Sequence, residues 1–205
     1  MKIRAKTTYY IIATAVVYLL LVAFVDWLKI FDNMPMTYIQ RWILNVVMEI
    51  TYVTVMLYLY QALRYVNENR HITIPFLIYI GYDLFIFVLR LLARSPMNGL
   101  FILLGGITVV ITLYFTIQLF SVRNKALTFS FKLLAITMLF SVLLRSIGSI
   151  LAILHWVSHS IFIYIILSEL LPPTASILLL CKILTYLNKE QHAFKLAASK
   201  ADEPA

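Results

Sequence analysis

The chain holds 205 residues, 62% of them apolar and 13% charged, against about 45–50% apolar and about 25% charged in water-soluble domains. Its mean hydropathy is +0.92, so polar surface is too scarce to cover a soluble globule and a polytopic membrane protein is expected. The formal charge is +8 and Cys181 is the single cysteine, which excludes an intramolecular disulfide scaffold.

A crossing of the hydrocarbon takes about 20 apolar residues. In chain order, the apolar stretches at about 8–30, 41–64, 72–92, 98–122, 129–154 and 160–186 predict six spans. Lys2, Arg4 and Lys6 precede the first. Its apolar region outruns a signal-peptide core and no small-x-small cleavage site closes it, so a retained helix is expected. Turn and polar residues separate the spans at Asp32-Asn33-Met34-Pro35, Asn67-Glu68-Asn69-Arg70-His71, Ser95-Pro96-Met97-Asn98-Gly99, Arg123-Asn124-Lys125 and His155-Trp156-Val157-Ser158-His159. Helices satisfy their backbone groups within the segment, and the apolar/polar alternation a membrane barrel requires is absent from the first span. The expected fold is an all-α membrane bundle over residues 1–187, followed by a polar tail over 188–205.

Basic residues are unevenly distributed. With the N-terminus inside, Lys2, Arg4, Lys6, Arg64, Arg70, Arg123, Lys125, Lys132, Lys182, Lys189, Lys195 and Lys200 fall on the cytoplasmic side, and only Lys29, Arg41 and Arg94 on the other. That bias predicts both termini in the cytoplasm. Trp27, Trp42 and Trp156 fall at the opposite ends of their spans, where an indole suits the headgroup layer. The net charge then reflects topology and attraction to anionic lipid, and nucleic acid is not an expected partner.

Ionisable groups inside spans cost about 2.5–3.5 kcal/mol each even on insertion scales, so each requires a reason. At 1.5 Å per residue, Glu49 lies about 12 Å below the outer end of its span, Arg145 and Glu169 about 14 Å, and Asp83 about 16 Å. Arg90, at about 6 Å, is shallow enough to snorkel. Glu49, Asp83, Arg145 and Glu169 are therefore expected to form one intramembrane polar cluster. In the last span, Ser168-Glu169-Leu170-Leu171-Pro172-Pro173 removes two N–H groups and frees the carbonyls of Ser168 and Glu169, which predicts a kink. Arg145 is expected to pair with Glu169 and to take one freed carbonyl, so that Arg145→Leu is more damaging than the double change to leucine. An ion-pair clamp that fixes helix register and a ligand, ion or proton pathway are both compatible with this cluster. Gly148 and Ala152 read as a close helix contact.

Several chemistries lack their residues. His71, His155, His159 and His192 lie outside the spans, His155 and His159 have no third ligand partner, and Lys182 is too near a span end for a retinal-type linkage. Phosphate-loop, nucleophile-elbow and zincin motifs are missing. No enzyme activity, metal or cofactor is expected.

From Gly99 onward the features resemble the tobamovirus multiplication protein family of plants, which is related to animal lysosomal membrane proteins. The resemblance rests on Leu119-Phe120-Ser121-Val122-Arg123, on Leu143-Leu144-Arg145-Ser146 and on Ser168-Glu169-Leu170-Leu171-Pro172. Fainter pieces are Thr51-Tyr52 and Tyr60-Gln61-Ala62-Leu63-Arg64. About half the chain is covered. That family has seven spans and longer loops, so the resemblance implies a seven-span receptor-like fold lacking its first helix. It also implies a non-catalytic protein of eukaryotic endomembranes, vacuole- or lysosome-like, that recruits cytoplasmic partners, with Arg145, Glu169 and Pro172 as shared core.

Three functions are compatible with the sequence. They are a scaffold or receptor-like protein that engages membrane lipids and other membrane or membrane-recruited proteins, an accessory subunit of a larger membrane complex, and a small transporter or channel that uses the charge cluster.

Overall fold

A computed structural model describes residues 3–30, 37–66, 68, 70–92, 98–153 and 159–201. These residues form α1 (Ala5–Ile30), α2 (Tyr38–Tyr65), α3 (Arg70–Leu92), α4 (Asn98–Phe120), α5 (Thr128–Ile153), α6 (His159–Ser168) and α7 (Leu171–Ala201), with no strand among them. Six helical segments are long and apolar enough to cross a membrane, α6 and α7 together supplying the sixth. From α1 to α6 each helix packs on its neighbours in chain order, α7 packs on α5, and α1 closes the ring against α7. The breaks of the first, third and fifth loops, with Arg94, Trp156 and the polar end of the tail, lie outside the described residues.

Local chemistry sets several boundaries. Thr37 opens α2 with a capping box. The Gln40 amide donates to Thr37 Oγ1 at 3.3 Å, and the Thr37 amide donates to Gln40 Oε1 at 2.9 Å, so two amides that a helix start leaves orphaned are satisfied. In the sixth span the expected kink is a full break. The Glu169 amide donates to Ile166 O and the Leu170 amide to Leu167 O, a tightened last turn of α6. Pro172 and Pro173 then stand in the first turn of α7, where a missing N–H costs nothing. Beyond Leu187, where the sequence suggests a tail, α7 continues to Ala201; the Lys, Gln, Leu and Ala residues there are good helix formers.

The buried hydrocarbon is lopsided. Its core draws on the later half of α2 (Val55, Met56, Leu59, Leu63), the first half of α3 (Ile72, Phe76, Ile80) and the last turns of α4 (Phe115, Leu119). The first half of α5 (Phe131, Leu134, Met138) and the middle of α7 (Leu179, Leu180, Ile183) complete it. All of this belongs to the end of the bundle that also holds the start of α1, here called the basic end. That end is further stitched by hydrogen bonds. Thr8 and Tyr58 share one of 2.6 Å, buried between α1 and α2, and Tyr65 donates to Glu190 Oε2 at 2.8 Å. Glu68 Oε1 accepts the amides of Arg123 and Asn124 at 2.9 and 2.8 Å, tying two loops together.

Candidate functional site: a charged layer above a tyrosine floor

On α2, the buried positions 63, 59 and 55/56 continue at helical spacing through Tyr52 to Glu49. On α3, 72, 76 and 80 continue to Asp83 and Arg90, and on α5, 131, 134/135 and 138 continue to Arg145. On α1, the buried residues Thr8, Ala15, Val22 and Asp26 lead to Lys29. The same helix faces that carry hydrocarbon at the basic end therefore carry charge at the far end. Of these groups Asp26 is buried, Lys29, Glu49 and Asp83 are half-buried, and Arg90 and Arg145 are exposed.

Three tyrosines mark the change. Tyr52 and Tyr79 share a hydroxyl hydrogen bond of 2.8 Å, and the Tyr18 ring stands 5.4 Å from that of Tyr52. Tyr79 stacks on Phe115 at 4.6 Å, and Phe115 meets Phe76 edge-on at 4.8 Å. These rings form a floor that separates the hydrocarbon half from the charged half. At the far end, Tyr82 donates to the carbonyl of Leu104 at 2.7 Å, joining α3 to α4.

Above the floor the charges fall into two groups. In the first, Arg145 Nη2 lies 3.3 Å from Glu169 Oε1, and Lys29 Nζ lies 3.4 Å from Glu169 Oε2 and 2.9 Å from Asp26 Oδ1. Glu169 is presented by the turn between α6 and α7, so the helix break aims this carboxylate at α1 and α5 together. In the second group, Glu49, Asp83 and Arg90 lie within electrostatic reach of one another. Asp83 also feels Arg145, and the Tyr18 hydroxyl feels Glu49, Asp83, Arg145 and Glu169. Of the four residues singled out from the sequence, Arg145 and Glu169 are in direct contact, and all four lie within electrostatic range of Tyr18. Pro172 and Pro173 lie just beyond the turn that carries Glu169.

Asp26 and Lys29 were not foreseen in this layer, since their position near the end of the first span suggests a headgroup location. The signal that finds them is period: 15, 22, 26 and 29 recur at helical spacing on one face. Elsewhere, Trp27 and Trp42 are exposed at the far ends of α1 and α2. Gly148 is the close approach of α5 to α6, where a Cβ would overlap the Ile165 side chain; the side chain of Ala152 lies outside the described residues. No protein-family model, curated protein or solved structure matches the chain.

Proposed function

We propose that this is a non-catalytic integral membrane scaffold or receptor-like protein that recruits partners at its basic end, which faces the cytoplasm. The observation that carries this reading is the character of that end. Arg4, Lys6, Arg64, Arg70, Arg123 and Lys125 are exposed there. The nearby carboxylates of Glu68 and Glu190 are each engaged by hydrogen bonds. A surface of one sign on a rigidly packed half suits anionic lipid headgroups and acidic segments of other proteins, and its excess of Lys and Arg favours a cytoplasmic location. The endomembrane location and the seven-span fold lacking its first helix rest on the family resemblance and are proposed with it.

The test is extraction in a mild detergent, size separation and mass spectrometry of co-migrating proteins, for the native chain and for a variant with Arg64, Arg123 and Lys125 changed to Glu. Substoichiometric companions that the variant loses support recruitment. A fixed set of partners at equal stoichiometry, retained by the variant, makes the chain an accessory subunit instead. A C-terminal reporter fusion read on the side opposite the cytoplasm refutes the orientation. One feature favours a second reading as a small transporter: the sixth span is broken beside a half-buried carboxylate, Glu169, as in helices that line transport sites. Ion flux in reconstituted vesicles that disappears in Glu169→Gln would establish it.

A further inference from the structure

The loop between α4 and α5 is braced by its own bonds. The Ser121 and Val122 amides donate back to Gln118 O and Leu119 O, and the Leu127 and Thr128 amides donate to Asn124 O. Asn124 Oδ1 accepts the Ala126 amide at 3.0 Å, and Thr128 Oγ1 donates to Val122 O and Asn124 O at 3.1 and 2.6 Å. Val122 and Leu127 anchor the two ends in the core. The amides of Arg123 and Asn124 take no part in this bracing and lie outside any helix; both donate to one acceptor, Glu68 Oε1, at 2.9 and 2.8 Å. Two successive amides converging on one oxygen make an anion receptor. Here it holds a carboxylate delivered from a different loop, 55 residues away from Arg123 in sequence. Arg123 and Lys125 in the loop, and Arg70 close after Glu68, are exposed and form no ion pair among the described residues.

We propose that this loop is a phosphate site which Glu68 occupies in cis, and that the phosphomonoester headgroup of an anionic lipid displaces the carboxylate from it. A phosphomonoester carries about −1.5 to −2 charges and three strong acceptor oxygens. It takes both amides together with the Arg123 and Lys125 side chains, whereas Glu68 Oε1 takes the amides alone; Arg70 adds to the attraction. The exchange costs little, because the Glu68–Arg123 bond is exposed and the released carboxylate returns to water. The flanks of the loop favour a lipid as the source. Phe120 and Phe129 are 42% and 77% exposed, and apolar rings on the outside of a membrane bundle hold the loop between them at the lipid surface. Binding unties the α2–α3 loop from the α4–α5 loop. The inference names the ligand class of the basic end and rests on the reading of that end as the recruiting surface.

The test measures Kd on the purified full chain in mild detergent for dioctanoyl phosphatidic acid, a phosphomonoester, and dioctanoyl phosphatidylserine, a phosphodiester. Glycerol phosphate supplies the first headgroup without its chains. Phosphatidic acid should bind about tenfold or more tighter than either of the others. Glu68→Gln, which keeps the shape of the side chain but not its charge, should tighten that binding by about three- to tenfold. Arg123→Gln/Lys125→Gln should weaken it by about tenfold or more, and Arg41→Gln, at the far end, should bind like the parent. If Glu68→Gln does not yield a monodisperse protein, Glu68→Asp, which withdraws the carboxylate by one methylene, gives the same reading. The proposal fails if the Glu68 variant binds no more tightly than the parent, or if phosphatidylserine binds as well as phosphatidic acid. Glycerol phosphate binding as tightly as phosphatidic acid overturns the lipid source. Absent phosphatidic acid binding beside co-migrating companions that the charge-reversed variant loses overturns the phosphate site and leaves recruitment standing.

Discussion

Replacing Glu169 by leucine removes the carboxylate that Lys29 and Arg145 share, one on each oxygen. At an effective dielectric near 20, two unit charges about 3.4 Å apart attract with about 5 kcal/mol. Most of that is offset, because the Arg145 side chain is 62% exposed and screened, while Glu169 is 21% exposed and partly desolvated. The net Arg145–Glu169 coupling is then about 1 kcal/mol. Arg145→Leu should cost about that much, since Lys29 Nζ still holds Glu169 at 3.4 Å. Glu169→Leu should cost about 2–3 kcal/mol, because it leaves two cations facing each other with Asp26 as the nearest paired anion. The double variant should fall short of additivity by about 1 kcal/mol. Adding Lys29→Leu to Arg145→Leu should bring the loss above that of Glu169→Leu, as the carboxylates of Glu169 and Asp26 are then both stranded. Sequence alone points to Arg145→Leu as the damaging change, and Lys29 shifts the burden to Glu169. Unfolding in mixed micelles of mild detergent and SDS measures each corner of the cycle. Equal losses from the two single variants, or additivity within about 0.5 kcal/mol, would refute the shared-acceptor geometry.

Other positions give independent checks. Tyr58→Phe removes the 2.6 Å bond to Thr8 but leaves the Thr8 hydroxyl donating to the Arg4 carbonyl at 3.2 Å, so it should cost only about 0.5–1.5 kcal/mol in the same micelle titration. Gly148→Ala should be nearly neutral, since the gain in helix propensity, about 1 kcal/mol, offsets a small shift of the Ile165 tip. Gly148→Leu should cost about 1–3 kcal/mol and be partly rescued by Ile165→Ala. Glu68→Gln keeps an acceptor but weakens two charge-assisted bonds, so amide exchange at Arg123 and Asn124 should quicken severalfold with little change in Tm. Phe131→Ala, at a fully buried site, should cost about 3–5 kcal/mol.

The spans were legible because each must bury about 20 residues in lipid, and that demand writes itself into composition regardless of packing. Depth alone also brought Glu49, Asp83, Arg145 and Glu169 to one level. Depth misplaced Lys29, because a four-carbon stem lets a residue at a helix end deliver its charge a turn or more inward. The tyrosine floor was hidden by abundance: thirteen tyrosines look dispersed until the buried stripes single out Tyr18, Tyr52 and Tyr79. The sixth span was expected to bend. Two consecutive prolines remove two successive backbone donors, and the chain responds by ending one helix and starting another. A hydropathy window does not register that difference, since both halves remain apolar.

The uneven placement of hydrocarbon has a mechanical consequence. Close-packed side chains resist shear and separation, so the basic end acts as a fulcrum that clamps six rods by their lower halves. Above the tyrosines the buried apolar side chains are fewer, among them Val22, Leu28, Ile86, Leu104 and Ile166, and ion pairs share the work of holding the rods together. Small rotations at the fulcrum are magnified along the free lengths, and α6, separated from α7 at Glu169, is the shortest arm. A change in the ion pairs around Glu169 can in this way alter the spread of the helices at that end without disturbing the packed half.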